Sequence, residues 1–135
     1  PSLGTVERPG SIGYSAVDLA LWPQLTALEH LRLAAELRGL GGDLMTQLAS
    51  VGLDGAAQKP VGQYSSGMRA RLKLALATQH RPEVLLLDEP SATLDEPGRD
   101  LIVKAVASQR ERGAVVIATN DPADRRLATH VLELG

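Results

Sequence analysis

The chain has 135 residues, 44% of them hydrophobic but only 2% aromatic, with no phenylalanine and no cysteine. That length supports one domain with a core of Leu, Val and Ala, and the lack of cysteine excludes disulfides, thiol nucleophiles and cysteine metal sites. A net charge of −2 gives no argument for a nucleic-acid surface, and neither a membrane-length apolar run nor a secretory signal pattern is present, so a soluble cytoplasmic domain is expected.

The chain opens on Pro1 rather than Met, as a trimmed chain or a piece of a longer one would. Pro1 to Ser11 is turn-rich, and Ile12-Gly13-Tyr14 reads as a short strand followed by a loop from Ser15 to Pro23. Thr26-Ala27-Leu28-Glu29 has the spacing of a capping box, Thr first and Glu three residues later, and predicts a helix to about Arg38. Gly39, Gly41 and Gly42 end it, and Asp43 caps a second helix, Leu44 to Val51, closed by Gly52. Leu53 to Tyr64 reads as a loop. Ser65-Ser66-Gly67 then opens a helix to about His80, with Met68, Leu72, Ala75, Leu76 and Gln79 on one stripe. Arg69, Arg71 and Lys73 fall elsewhere and predict a solvated face.

Val84-Leu85-Leu86-Leu87 is apolar without alternation, the pattern of a strand buried on both sides of a parallel sheet. Asp88 and Glu89 follow directly, and Pro90 stops the strand. The carboxyl ends of strands are where open α/β sheets bind ligands. Two adjacent carboxylates there suit a divalent cation on phosphates and a polarised water. Pro97 and Gly98 lead into a helix from about Arg99 to Arg112, which Gly113 terminates. Ala114 to Ala118 is a second unalternating strand. Asp121 and Pro122 then start a short helix to about Ala128, and His130 to Leu134 reads as a last strand. Helices alternate with buried strands, so the class is α/β with a mainly parallel sheet. His30, His80 and His130 are expected at surface or boundary positions.

Four motifs stand in a fixed order. Tyr64-Ser65-Ser66-Gly67-Met68 lies at a helix start, where free N–H groups and the helix dipole favour an anion. Val84–Glu89, Ser91-Ala92-Thr93-Leu94-Asp95 and Ala118-Thr119-Asn120-Asp121 follow. In this order they resemble the ATP-binding subunit of ABC transporters. Y-S-S-G-M is similar to that family's signature motif, V-L-L-L-D-E-P to its Walker B strand and catalytic glutamate, S-A-T-L-D to its D-loop, and Thr119-Asn120 to its H-loop. L-W-P-Q-L-T-A-L-E-H-L resembles the segment entering its helical subdomain. The resemblance covers about Ile12 to the end of the chain.

The resemblance implies a P-loop NTPase (RecA-like) sheet with a helical signature subdomain, about residues 24–80, in a single domain over 1–135. It implies ATP and Mg²⁺ as ligands. Asp88 would hold Mg²⁺ through its water shell, and Glu89 would be the base for the attacking water. Ser65, Ser66 and Gly67 would contact the γ-phosphate of ATP on an opposite subunit, with Asp95 at that dimer interface. The implied partners are a second ATP-binding subunit and transmembrane permease subunits, on the inner face of the cell membrane, with no nucleic acid. Leu25–Val51 would carry the groove for a coupling helix of the permease. The signature Y-S-S-G-M-R-A-R looks most like exporters, including the haem-exporter and polysaccharide-exporter branches.

Three departures from the family pattern stand out. No G-x-x-x-x-G-K-[ST] phosphate loop occurs in these residues, so the chain is expected to be a cassette lacking its N-terminal Walker A portion. Its sheet would then be incomplete and marginally stable alone, with a strand missing between Ala114–Ala118 and His130–Leu134. Ala16 and Val17 fall where the family has the Pro-Gln of its Q-loop. Asn120 replaces the usual His; it can donate a hydrogen bond but cannot titrate near neutral pH, which implies slower hydrolysis. A second expectation is an impaired regulatory or dimerisation module that pairs with an intact cassette.

Overall fold

The computed structural model describes residues 11–16 and 19–127. Within them the chain runs β1 (Ile12–Ala16), α1 (Ala27–Arg38), α2 (Leu44–Ser50), α3 (Ser66–Thr78), β2 (Val84–Asp88), α4 (Glu96–Arg110), β3 (Ala114–Ala118) and α5 (Pro122–Arg125). Short 3₁₀ turns at Asp54–Ala56 and Val61–Gln63 break up the expected loop before α3. The final strand expected at His130–Leu134 lies outside the described residues, as do Val17 and the first ten residues.

Local signals account for the helix starts. The Thr26 hydroxyl accepts from the Glu29 N–H at 3.0 Å and the Glu29 carboxylate accepts from the Thr26 N–H at 2.9 Å. Both halves of the capping box are therefore made. Gly39 closes α1 in the left-handed region, at φ 68°. Asp43 caps α2 by accepting from Met45 and Thr46, and Ser65 caps α3 by accepting from Met68. Helix α4 begins three residues before the predicted Arg99. Asp95 is its cap, accepting from the Gly98 N–H at 3.0 Å, and Pro97 sits in the first turn, where its missing N–H costs nothing.

The three strands form one parallel sheet in the order β1-β2-β3. Tyr14, Leu86 and Val116 are in register, as are Ala16, Asp88 and Ala118. Strand β1 runs two residues beyond the predicted Tyr14, because Ser15 and Ala16 pair with Leu87 and Asp88. Helix α3 packs on β1 and α4 on β3. Leu85 and Leu87 join Leu74, Ala77, Ile102 and Val106 in one core. On the other face of the sheet Ile12, Tyr14 and Val116 are exposed, Val116 by 54%. Among the described residues both packing helices serve the opposite face.

Helix α3 joins the sheet to α1, α2 and α4 among the described residues. It touches β1 on one side and α1 and α2 on another, so its burial extends beyond the predicted stripe to Lys73, Leu74 and Ala77. A Cβ on Gly13 would stand 2.0 Å from the Ala77 carbonyl oxygen. The β1–α3 seam is therefore close enough to require glycine. Gln79 ties α3 to α1 by donating to the Leu31 carbonyl at 2.9 Å. His30 is a correction: it is buried, not at the surface. Its Nδ1–H donates to the Thr26 carbonyl and its Nε2 accepts from the Trp22 N–H, while the ring stacks on Trp22. Both bonds are made with the proton on Nδ1 and the lone pair on Nε2. His80 is half-buried, with its Nε2 on the Ile12 carbonyl, and burial lowers its pKa. His130 lies outside the described residues.

Candidate functional site

A cleft of about 160 Å³ opens at the carboxyl ends of β1 and β2, against the first turns of α3. Ser15 and Ala16 enter from β1, Asp88, Glu89, Pro90 and Thr93 from the end of β2, and Ser66, Arg69 and Lys73 from α3. Asp88 is the last residue of the β2 ladder. Glu89 then leaves the sheet with φ 48°, in the left-handed region that a non-glycine residue adopts only at a cost. Its N–H donates to the Ala118 carbonyl at 2.7 Å, which anchors the turn to the end of β3.

The Glu89 carboxylate is held by the segment after β3. Oε1 accepts from the Asn120 N–H at 2.8 Å, and the Thr119 hydroxyl lies 3.5 Å from Oε2. The contact to Asn120 uses its backbone, whereas the resemblance assigned a role to its side chain. Behind this pair Asp124 is buried. It accepts from the Thr119 hydroxyl at 2.9 Å and from the Ser91 hydroxyl at 2.6 Å. Sequence reasoning gave Asp124 no role, because an acid in the first turn of a short helix reads as an ordinary dipole partner.

Of the predicted ligand residues, the structure brings Asp88, Glu89 and Ser66 to the cleft. Ser65 and Gly67 flank it at the start of α3. Ser65 is exposed, and its hydroxyl oxygen already serves as the helix cap. Gly67 has a packing reason beyond ligand approach, since a Cβ there would come within 3.2 Å of the Thr93 carbonyl oxygen. Asp95 lies outside the cleft, capping α4 and pairing with Arg71 at 3.3 Å. The Gly98 N–H and then Arg71 hold its carboxyl below the usual range.

The solvated face predicted for Arg69, Arg71 and Lys73 is not observed. Lys73 is only 8% exposed and lines the cleft with Arg69. The Arg69 guanidinium donates to the Tyr64 carbonyl at 2.7 Å, and that of Arg71 reaches the Val51 carbonyl as well as Asp95. All three lie on a helix packed on two sides, which leaves little face for water.

No group of three His, Cys, Asp or Glu able to hold a metal occurs among the described residues. Asp88 and Glu89 provide the hard oxygen donors that Mg²⁺ takes, but too few for a closed cage. That donor set fits an ion that keeps waters and shares phosphate oxygens.

The order of these elements, with the acidic pair at the end of β2 facing the start of α3, agrees with comparison to known proteins. The ABC transporter family matches residues 4–92. This chain belongs to that family. It is 31% identical over 117 residues to an uncharacterized ABC transporter ATP-binding protein, YybJ, of Bacillus subtilis, covering 85% of this chain and 54% of that one. It is 36% identical over 118 residues to the ABC-type organic anion transporter ABCA8B of Mus musculus, covering 82% of this chain and 7% of that one. The fold matches a solved ATP-binding subunit of an ABC transporter with a TM-score of 0.74 and 25% identity, over 83% of this chain and 49% of that one. It matches equally, at 0.74 and 25%, a dimeric ATP-binding cassette in a post-hydrolysis state bound to ADP and Pi, over 87% of this chain and 55% of that one. The chain thus spans at most about half of these relatives, and its fold is the α/β P-loop NTPase fold of ABC ATPases. No helix among the described residues is long and apolar enough to cross a membrane.

Proposed function

We propose that this chain is part of the ATP-binding subunit of an ABC exporter, in which ATP binding and hydrolysis drive export through transmembrane permease subunits. The observation that carries the reading is Glu89. Its carboxylate sits one residue past Asp88, at the end of a central strand, and is aimed by the Asn120 N–H. A carboxylate held beside a phosphate site is placed to accept the proton of an attacking water. Asp88 would hold Mg²⁺ through its waters, and that ion would neutralise charge developing on the transferred phosphate. Ser65, Ser66 and Gly67 would bind the γ-phosphate of ATP on an opposite subunit through the N-terminus of α3. Asp95 would lie at the interface between the two subunits. The dimeric relative bound to ADP and Pi supports that arrangement.

Residues about 24–80 would form the helical subdomain, whose Leu25–Val51 segment receives a coupling helix of the permease. The protein would lie on the cytoplasmic face of the membrane and bind no nucleic acid. The phosphate loop that hydrolysis requires would come from outside these residues, in the N-terminal part of a complete cassette; alone, this chain would be inactive.

The test uses the natural gene product. Its intact mass is expected to exceed 14.3 kDa, with G-x-x-x-x-G-K-[ST] upstream, and it should hydrolyse ATP. Glu89→Gln should lower kcat by about 100-fold or more while ATP still binds. Retention of full activity by Glu89→Gln would refute the assignment. A second reading, a regulatory module pairing with an intact cassette, is favoured by Asn120 in place of the family's usual His. It predicts a product that binds a cassette partner and hydrolyses nothing itself.

A further inference from the structure

We propose that Asp124 is a positioning residue for Glu89, acting through Thr119 and Ser91. The inference rests on the hydrolytic reading of Glu89. Asp124 is only 2% exposed, and a buried carboxylate persists where hydrogen bonds replace its water. It has two such bonds, one from a residue 33 positions away and one from a residue five positions away. Ser91 donates at 2.6 Å from the turn that follows Glu89, and Thr119 donates at 2.9 Å from the end of β3.

The Thr119 hydroxyl has a single proton and lies within reach of two carboxylates, Asp124 at 2.9 Å and Glu89 at 3.5 Å. The nearer one takes it, and the hydroxyl oxygen in turn accepts from the Asp121 N–H at 2.9 Å. Thr119 is thereby pinned, and with it the next peptide, whose N–H holds Glu89 at 2.8 Å. The contacts close a ring from Glu89 through Asn120, Thr119, Asp124 and Ser91 back along the chain to Glu89. A residue at φ 48° keeps that conformation when its surroundings over-determine it, and this ring does so. Asp88 is not part of the ring, so the ring bears on the orientation of the base and not on the hold on nucleotide or ion.

The experiment measures steady-state ATP hydrolysis, the affinity of a fluorescent ATP analogue, and thermal melting in the natural gene product. Asp124→Asn keeps the volume but leaves one hydroxyl facing an amide N–H. Thr119→Val removes the relay hydroxyl, and Thr119→Ser restores it. Since displacing a catalytic group by about 1 Å can cost about 100-fold, Asp124→Asn and Thr119→Val should each lower kcat by about 10- to 100-fold. The KM for ATP and the affinity for the analogue should stay within about twofold, and Thr119→Ser should lie within about threefold of wild type. Because the two residues act along one path, the double variant should be little worse than either single one. If Asp124→Asn folds poorly, the Thr119→Val and Thr119→Ser pair decides alone. Wild-type kcat in Thr119→Val, failure of Thr119→Ser to rescue, or a loss confined to melting temperature overturns the proposal while the reading of Glu89 stands. A wild-type protein without hydrolysis overturns both.

Discussion

Replacing Gly13 by alanine should destabilise the protein by about 3 kcal/mol, the upper end of the cost of overpacking a core. The added Cβ would stand 2.0 Å from the Ala77 carbonyl oxygen and 2.9 Å from the Pro82 ring, whereas real Cβ contacts essentially never fall below 3.0 Å. The seam between β1 and α3 would have to open by about 1 Å. The obstacle is backbone, so no change of rotamer relieves it. A gap of that size forfeits about a quarter to a half of the dispersion energy of each contact along the seam. The displacement would also reach the cleft, because Ser15 lies two residues beyond Gly13 and Lys73 one helical turn before Ala77. Hydrolysis by the complete protein should therefore fall with stability. Gly41 is the control: nothing lies within 4 Å of its would-be Cβ and its φ is not positive, so Gly41→Ala should be neutral or stabilising by up to about 1 kcal/mol. Urea unfolding of both variants measures the difference. A Gly13→Ala midpoint equal to wild type at unchanged m-value would refute the account of the β1–α3 seam.

Asn120→His should raise the hydrolysis rate of the complete protein, since the native Asn cannot exchange a proton near neutral pH; an unchanged rate would remove the side chain of position 120 from the mechanism. The carboxyls of Glu29, Asp43 and Asp95 are all held below their ordinary values. The Thr26 N–H lowers Glu29 most, the Thr46 hydroxyl lowers Asp43 most, and the Gly98 N–H lowers Asp95 most. Groups whose folded pKa is depressed stabilise above the unfolded value of about 4 and lose that contribution as pH falls through the lower folded values. Stability by urea unfolding should therefore drop below about pH 4, and Thr26→Ala, which keeps the backbone N–H but removes the Thr26 hydroxyl that also lowers Glu29, should shrink the drop in part.

What could be read from the sequence was whatever a few neighbouring residues settle among themselves. Thr26 with Glu29, Asp43 with Thr46 and Ser65 with Met68 each close a cap within three residues, so these three helix starts were visible before any folding, whereas the equally local Asp95 cap starts α4 ahead of the predicted Arg99. The acidic pair at the end of an apolar run, and the serine-glycine turn opening a helix, were legible for the same reason. Of the residues that line the cleft, Asp88, Glu89 and Ser66 were therefore nameable, while Asp95, named with them, lies outside it. The remainder depends on segments brought together from far apart. Ser91 meets Asp124 across 33 positions and Asn120 meets Glu89 across 31. No spacing in the sequence carries that information. Lys73 looked solvated because helical periodicity assumes one buried face, and α3 packs on two. The runs at Val84–Leu87 and Ala114–Ala118 carry no alternation to mark a face, and which face α3 and α4 cover is decided only where the helices pack on the sheet. Local hydrogen bonding is written into adjacent residues; burial and the aiming of the Glu89 carboxylate are properties of the assembled chain.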